Sequence, residues 1–226
     1  MNGGLLPFGG AAVMQRRHEP PDSLDFFPTP PWATRALLTH VLWPAWIQGC
    51  TVWEPAAGEG HMAEVLREFF STVVATDVFD YGRGYRISDF LGDPTSGGTD
   101  WVITNPPFKV ALDFALRAMS EARVGVALLV RSAWLEGTGR HDNLFRPHPP
   151  ALIAQFAERV PMTKGRWDPD ASTATSYSWV VWLTIPHWDG TRFVWIPPGQ
   201  RVALTKPDDA ARFGVRTGAP LIEGEP

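Results

Sequence analysis

The stretch Thr51-Val52-Trp53-Glu54-Pro55-Ala56-Ala57-Gly58-Glu59-Gly60-His61 constrains this chain more than any other. Thr51 to Glu54 predicts a short strand, and a turn of small residues follows. Met62, Val65, Leu66, Phe69 and Phe70 then recur at helical spacing, with Glu64, Arg67 and Glu68 opposite. Apolar residues spaced in this way line one face of a helix. Strand, glycine turn and helix form the opening unit of a nucleotide-binding α/β fold. The chemistry of the turn narrows the ligand. Gly58-x-Gly60 lacks a third glycine, no Gly-Lys-Ser/Thr follows, and Glu54 and Glu59 would repel a pyrophosphate. A cofactor with positive charge would instead be drawn to those carboxylates.

Ser71 to Asp77 is a β-rich run that ends in an acid, and Asp77 lies 19 residues beyond Gly58. At about that offset two adjacent parallel strands bring an acid to the hydroxyls of a bound ribose. Gly82-x-Gly84 predicts a flexible loop before Ser88-Asp89-Phe90-Leu91, where Asp89 can also simply cap a turn.

Asp100-Trp101-Val102-Ile103-Thr104-Asn105-Pro106-Pro107-Phe108 is the second constraint. Its apolar and β-branched residues predict a buried strand that the two prolines must end. Proline offers no backbone donor and pushes the preceding residue out of helical geometry. Asn105 is therefore expected at a strand's carboxyl end with its amide projecting. Its side-chain oxygen and the Pro106 carbonyl can each accept one N–H while Phe108 stacks. That set suits a planar ring bearing an NH2 group. The same residues would also make a proline-capped strand followed by a core Phe.

Together these stretches resemble the motifs of S-adenosylmethionine-dependent amino-methyltransferases, best known among N6-adenine enzymes. Asn105-Pro106-Pro107-Phe108 is similar to the family's motif IV, and Glu54 to His61 to its motif I. Thr29-Pro30, a Thr-Pro turn opening a helix, resembles motif X, which packs against the methionine end of the cofactor. Ser88-Asp89-Phe90-Leu91 resembles motif III, where the Asp meets the cofactor's adenine amine and the Phe packs beside the ring. Pro161 to Asp168 corresponds loosely to motif VIII, which helps cover the target base. The resemblance implies S-adenosylmethionine held by Thr29, Pro30, Glu54, Pro55, Ala56, Gly58, Gly60, His61, Asp77, Val78, Asp89, Phe90 and Asn105. It implies catalysis by Asn105, Pro106, Pro107 and Phe108 on the N6 amine of adenine in DNA. Phe108, Lys109, Arg131, Lys164, Arg166 and Trp167 are the expected substrate contacts, the last three joining cations to an aromatic in one loop. Neither a metal nor a cysteine nucleophile is required. The same tetrapeptide also serves enzymes that methylate a protein glutamine amide or a guanine amine of ribosomal RNA. A non-catalytic protein that keeps the fold is a further alternative.

Composition bounds these readings. At 226 residues, 44% hydrophobic and 19% charged, the chain fits one globular domain with a sizeable core. The net charge of −4 supplies no global basic field, so nucleic acid must be held by a local patch. Cys50 is the only cysteine, which excludes an internal disulfide and fits a reducing cytoplasm. The longest apolar run, Val124 to Val130, is too short to span a bilayer, and no signal peptide is visible. His141 and His148 lack neighbouring acids or thiols and predict solvated loop histidines rather than a metal site.

The expected architecture is a doubly wound, Rossmann-like α/β sheet, which the resemblance extends to the class I methyltransferase sheet of seven strands with the last antiparallel. Residues 1–24, including Gln15-Arg16-Arg17-His18, predict a mobile arm, residues 25–185 the methyltransferase domain, and 186–226 a C-terminal hairpin and tail. Within these, Thr29 is expected to cap a helix from about 30 to Leu42, and Val110 to Met119 forms another. Val124 to Val130, Leu152 to Val160 and Thr175 to Ile185 predict strands, and Asp189-Gly190 a small hairpin. The polar tail beyond about Lys206 is expected to be mobile. The short span from Gly58 to Asn105 leaves no room for an inserted recognition domain.

Overall fold

The computed structural model describes residues 25–94, 98–185 and 188–214. The basic arm expected over residues 1–24, and the end of the tail, lie outside the described residues. In chain order the elements are α1 (Pro31–His40), α2 (Pro44–Ile47), β1 (Thr51–Glu54), α3 (His61–Leu66), β2 (Thr72–Asp77), β3 (Arg86–Ile87), β4 (Thr99–Thr104), α4 (Ala111–Glu121), β5 (Ala122–Arg131), α5 (Thr138–Arg140), β6 (Leu152–Phe156), β7 (Tyr177–Leu183), β8 (Arg192–Ile196), α6 (Gln200–Leu204) and α7 (Asp209–Phe213). The strands make one sheet in the order β3-β2-β1-β4-β5-β7-β6-β8. β1 to β5 run parallel, β7 is antiparallel to both β5 and β6, and β8 is parallel to β6.

Successive side chains of a strand point to opposite faces, and both faces of this sheet are covered. Trp101 and Ile103 of β4 join Ala127, Leu129, Trp179 and Val181 beneath α1 and α3. Val102 joins Val126, Leu128, Val180 and Trp182 against Phe114, Ala115 and Ala118 of α4. That is why β5 is apolar without alternation, as strands buried on both faces are. Each fully buried Leu or Val contributes about 1.5–3 kcal/mol. Gly125 of β5 is fixed by this packing. A Cβ there would lie 2.7 Å from Trp101 Cη2 and 2.8 Å from the Trp182 carbonyl.

Several expectations need correction. The sheet has eight strands rather than seven. The turn at Asp189-Gly190 opens no hairpin, and Arg192–Ile196 pairs with β6 instead. β7 is flanked on both sides, so the open ladder of β6 was the edge left for the returning chain. Thr29 does not cap α1, because Pro31 holds Pro30 extended (ψ 134°) and makes it the cap, with no side-chain bond. Thr29 is buried instead. The tail beyond Lys206 continues into α7, which an ion cluster centred on buried Arg35 and Asp209 fastens to α1 and to the turn after α3. The Arg35 guanidinium reaches both Asp209 oxygens at 2.6 and 2.7 Å and both Glu68 oxygens at 2.8 Å. Lys206 and Arg212 add contacts of 2.9 Å to Glu68. No helix among the described residues is long and apolar enough to cross a membrane.

Candidate active site

Adjacent parallel strands end at one edge, and the ends of β1, β2 and β4 bring Glu54, Asp77 and Asn105 to it. The glycine turn after β1 is tied to β2. The Ala57 N–H donates to the Thr76 carbonyl (3.0 Å), and the Gly58 N–H to Asp77 Oδ2 (2.8 Å). Asp77 Oδ1 takes the Phe79 N–H (3.0 Å). Gly58 and Gly60 have φ of 52° and 87°, in the left-handed region that favours glycine. A Cβ at Gly58 would strike the Phe26 ring, and one at Gly60 the Tyr85 hydroxyl. Pro55 is buried and Ala56 half-buried within this turn, while the Val78 side chain is exposed.

Three acids crowd this turn, and burial holds each toward its protonated form. Burial pushes the Glu54 carboxyl well above the carboxylate range, and the charge of Asp77 adds to the effect. Glu54 Oε2 is buried without a hydrogen-bond partner among the described residues. Burial likewise raises Glu59 and Asp77, the latter against three backbone N–H donors. His61 is lowered to about 4 by burial. Its Nε2 lies 3.1 Å from the Phe213 carbonyl. A carbonyl only accepts, so Nε2 carries the proton, and Nδ1 is a buried acceptor without a partner.

At the end of β4, Asn105 is half-buried. Its Nδ2 donates to the Phe27 carbonyl at 2.9 Å and lies 3.7 Å from the Met162 sulfur. The carbonyl contact fixes which way the amide points. Oδ1 is left buried without a partner among the described residues. Pro106 is buried, and the Pro107 carbonyl accepts the Val110 N–H (3.1 Å) to start a 3-10 turn over Phe108–Val110. The Phe108 ring meets Phe27 at a 5.2 Å centroid distance, and the Arg131 guanidinium sits 4.0 Å from its centroid.

The remaining expected residues divide. Pro30 is buried at the head of α1, and its carbonyl takes the Ala33 N–H. Asp89 caps its own turn through the Leu91 N–H (3.0 Å), and Phe90 lies in the core edge-on to Trp53 and against Phe114. Lys109, Arg131, Lys164 and Arg166 are exposed at this edge. Trp167 is not exposed with them. It is buried against Val65 and Phe213, so its ring fills the core and offers no stacking face. Among the described residues no His, Cys, Asp and Glu group has a metal-binding arrangement.

Phe26, Phe27, Tyr81 and Met162 join the site without being among the residues expected there. The Phe26 ring packs on Tyr81 (4.8 Å) and near His61 (6.5 Å), and Tyr81 packs on Phe79. Two adjacent aromatics ahead of Pro28 were the available signal, since so large an apolar pair in a proline-rich linker must be covered by something.

No known family model matches the chain, and no curated protein matches it in sequence. Solved structures do. A proposed class I S-adenosylmethionine-dependent methyltransferase from Listeria monocytogenes aligns with a TM-score of 0.53 at 12% identity, over 88% of this chain and 72% of its own. A proposed RNA methyltransferase from Pyrococcus horikoshii gives 0.54 at 16% identity, over 75% and 91%. The methyltransferase subunit of a type I restriction-modification system from Streptococcus thermophilus gives 0.51 at 13% identity, over 73% and 45%. This chain therefore spans about half the length of that subunit. The fold is the Rossmann-like class I methyltransferase sheet.

Proposed function

We propose that this chain transfers a methyl group from S-adenosylmethionine to the exocyclic N6 amine of adenine in DNA. The observation that carries the reading is Asn105, whose Oδ1 is buried and unpartnered while Nδ2 is committed to the Phe27 carbonyl. A buried acceptor without a donor costs about 1–3 kcal/mol, which an amine hydrogen would recover. The N6 lone pair of adenine is delocalised into the ring, so the amine is a poor nucleophile. Asn105 Oδ1 and the Pro106 carbonyl would hold its hydrogens and favour a more tetrahedral nitrogen. With the Arg131 guanidinium drawn off its ring, Phe108 would stack on the base for roughly 1–3 kcal/mol, which offsets part of the cost of taking a base out of a duplex.

The glycine turn fits the cofactor by charge. Glu54 keeps a buried oxygen without a donor, and Asp77 stands at the ribose offset. The bound cofactor would supply an electrophilic methyl group on a cationic sulfur. Holding that group in line with the amine is the turn's contribution to the rate. The motif IV resemblance, not the fold likeness, gives adenine in DNA first place among amine substrates.

Transfer of labelled methyl groups to DNA, RNA and protein in parallel tests the reading. The expected product is N6-methyladenine in DNA. Asn105→Ala should cut turnover by about 10²–10³-fold, the scale of losing an oriented polar group at a reacting centre. Its cofactor affinity should stay within about twofold, and Phe108→Ala should be less severe. Label on RNA or protein alone would overturn the DNA assignment. Full activity in a folded Asn105→Ala protein would overturn the site.

A further inference from the structure

Phe26 and Phe27 touch the glycine turn and the catalytic loop at once. The Phe26 ring closes over Gly58, and the Phe26 carbonyl accepts the Gly165 N–H at 2.9 Å. One residue on, the Phe27 ring rests on Phe108 and the Phe27 carbonyl accepts Asn105 Nδ2 at 2.9 Å. Pro28 follows, so Phe27 is held extended and its carbonyl belongs to a stiff X–Pro linkage. Met162, from the loop that also supplies Gly165, lies on the same Asn105 nitrogen at 3.7 Å.

An asparagine amide has two faces, and only one orientation serves an incoming amine. With Nδ2 on the Phe27 carbonyl, the acceptor Oδ1 faces the other way. Were the amide turned over, two oxygens would face each other and the amine would meet a donor. The discrimination rests chiefly on the backbone carbonyl, which can never donate, and the Met162 sulfur, a weak acceptor on the same nitrogen, adds to it.

We infer that Phe27 is a positioning residue for methyl transfer. Its carbonyl orients the Asn105 amide, and its ring, wedged on Phe108, holds that carbonyl in place. The inference rests on the proposed amine chemistry for its consequence, but the orientation itself is a property of the protein without substrate. Phe26 covers Gly58 from the same short segment, while the Phe27 ring and carbonyl bear on Phe108 and Asn105.

Two measurements test this separately. Asn2, Asn105 and Asn143 are the chain's asparagines, so labelling Asn with nitrogen-15 resolves the Asn105 side-chain amide by nuclear magnetic resonance. Asn143 also donates to a backbone carbonyl, that of Gly139, but at an exposed site. In the wild-type protein the Asn105 amide protons should exchange with solvent at least ~10-fold more slowly than those of Asn143, as buried bonded groups do. Phe27→Ala should erase most of that protection, and Phe27→Leu, which keeps apolar bulk, should restore part of it. The second measurement is steady-state methyl transfer. Phe27→Ala should lower kcat by about 10-fold or more while the KM for cofactor and DNA stays within about twofold, since a small misplacement of a reacting group is costly. An Asn105 amide that exchanges as fast as Asn143 in the wild type overturns the inference whatever the enzyme's substrate proves to be. So does unchanged protection in a folded Phe27→Ala protein. Protection lost without any loss of kcat, in a wild type that methylates DNA, overturns the positioning role and leaves the proposed function standing. A wild type that methylates nothing removes the proposed function, while the exchange data still decide the orientation.

Discussion

The Asp77 carboxylate receives the Gly58 backbone N–H at 2.8 Å and so ties the end of β2 to the turn that follows β1. Its other oxygen takes the Phe79 N–H. Three backbone N–H groups, those of Phe79, Gly58 and Val78, bear on this carboxylate. A carboxylate has about four acceptor sites, so one acid can brace the turn and still accept from a ribose hydroxyl. Asp77→Ala removes the brace and the acceptors together. Hydrogen bonds to charged groups contribute about 1.5–3 kcal/mol each. Calorimetry should therefore show S-adenosylmethionine affinity falling about 10²-fold in Asp77→Ala. An unchanged Kd would take Asp77 out of the pocket.

Glu54 makes a prediction about protons. Burial first, and the charge of Asp77 second, hold its carboxyl well above the ordinary range in the free protein. A cation placed against Oε2 favours the carboxylate and lowers that value. Between the two values, binding of a cationic cofactor must release a proton, and affinity must rise with pH. Calorimetry in buffers of different ionisation enthalpy should detect the release for the wild type and none for Glu54→Gln. Proton uptake, or equal behaviour of the two proteins, would exclude a cation at Glu54.

The ion cluster that fastens α7 sets the acid stability. Burial alone would raise Glu68, but hydrogen bonds from Arg35, Lys206 and Arg212 outweigh it and hold its carboxyl down to about 2. A carboxyl depressed in the folded state stabilises above its unfolded value, here 4.5, and that stability is lost as pH falls toward 2. With solvent screening the contribution is roughly 1–2 kcal/mol. Urea midpoints should fall across that window in the wild type and flatten in Glu68→Gln. Asp209→Ala should cost more, about 3–5 kcal/mol at neutral pH, because it strands part of the buried Arg35 charge. A loss under 1 kcal/mol would mean that water replaces Asp209.

What the sequence made legible was local. Glu54, Gly58 and Asp77 could be placed together because parallel neighbours end at one edge, and Asn105 because two prolines must stop a strand. What it hid was long-range or carried by the backbone. The partner of Asn105 is a carbonyl 78 residues away, and a carbonyl leaves no mark in a sequence. Trp167 beside Lys164 and Arg166 suggested stacking until Phe213 of α7 came to cover it. β8 followed from which sheet edge stayed open, a question that Asp189-Gly190 alone cannot answer.

With Trp167 in the core, the loop over 161–167 keeps only its cations for a nucleic acid. Lys164 and Arg166 are exposed, and Arg166 is paired only loosely with Asp168 at 3.6 Å. The loop between them is tied through the Gly165 N–H to the Phe26 carbonyl, so the segment that carries both cations is held against the one whose next residue contacts Asn105. With a net charge of −4, binding to DNA depends on such local groups. Lys164→Glu/Arg166→Glu should weaken binding to all DNA sequences alike, because phosphate contacts carry no sequence information. Each lost contact removes about 0.9 from the slope of log affinity against log salt, so the double variant should be shallower by about 2. Cofactor affinity should not change, since neither side chain belongs to the glycine turn. A double variant that binds DNA with the wild-type slope would remove the phosphate role from this loop and leave Lys109 and Arg131, beside the Asn105 motif and at the end of β5, as the cations to test next.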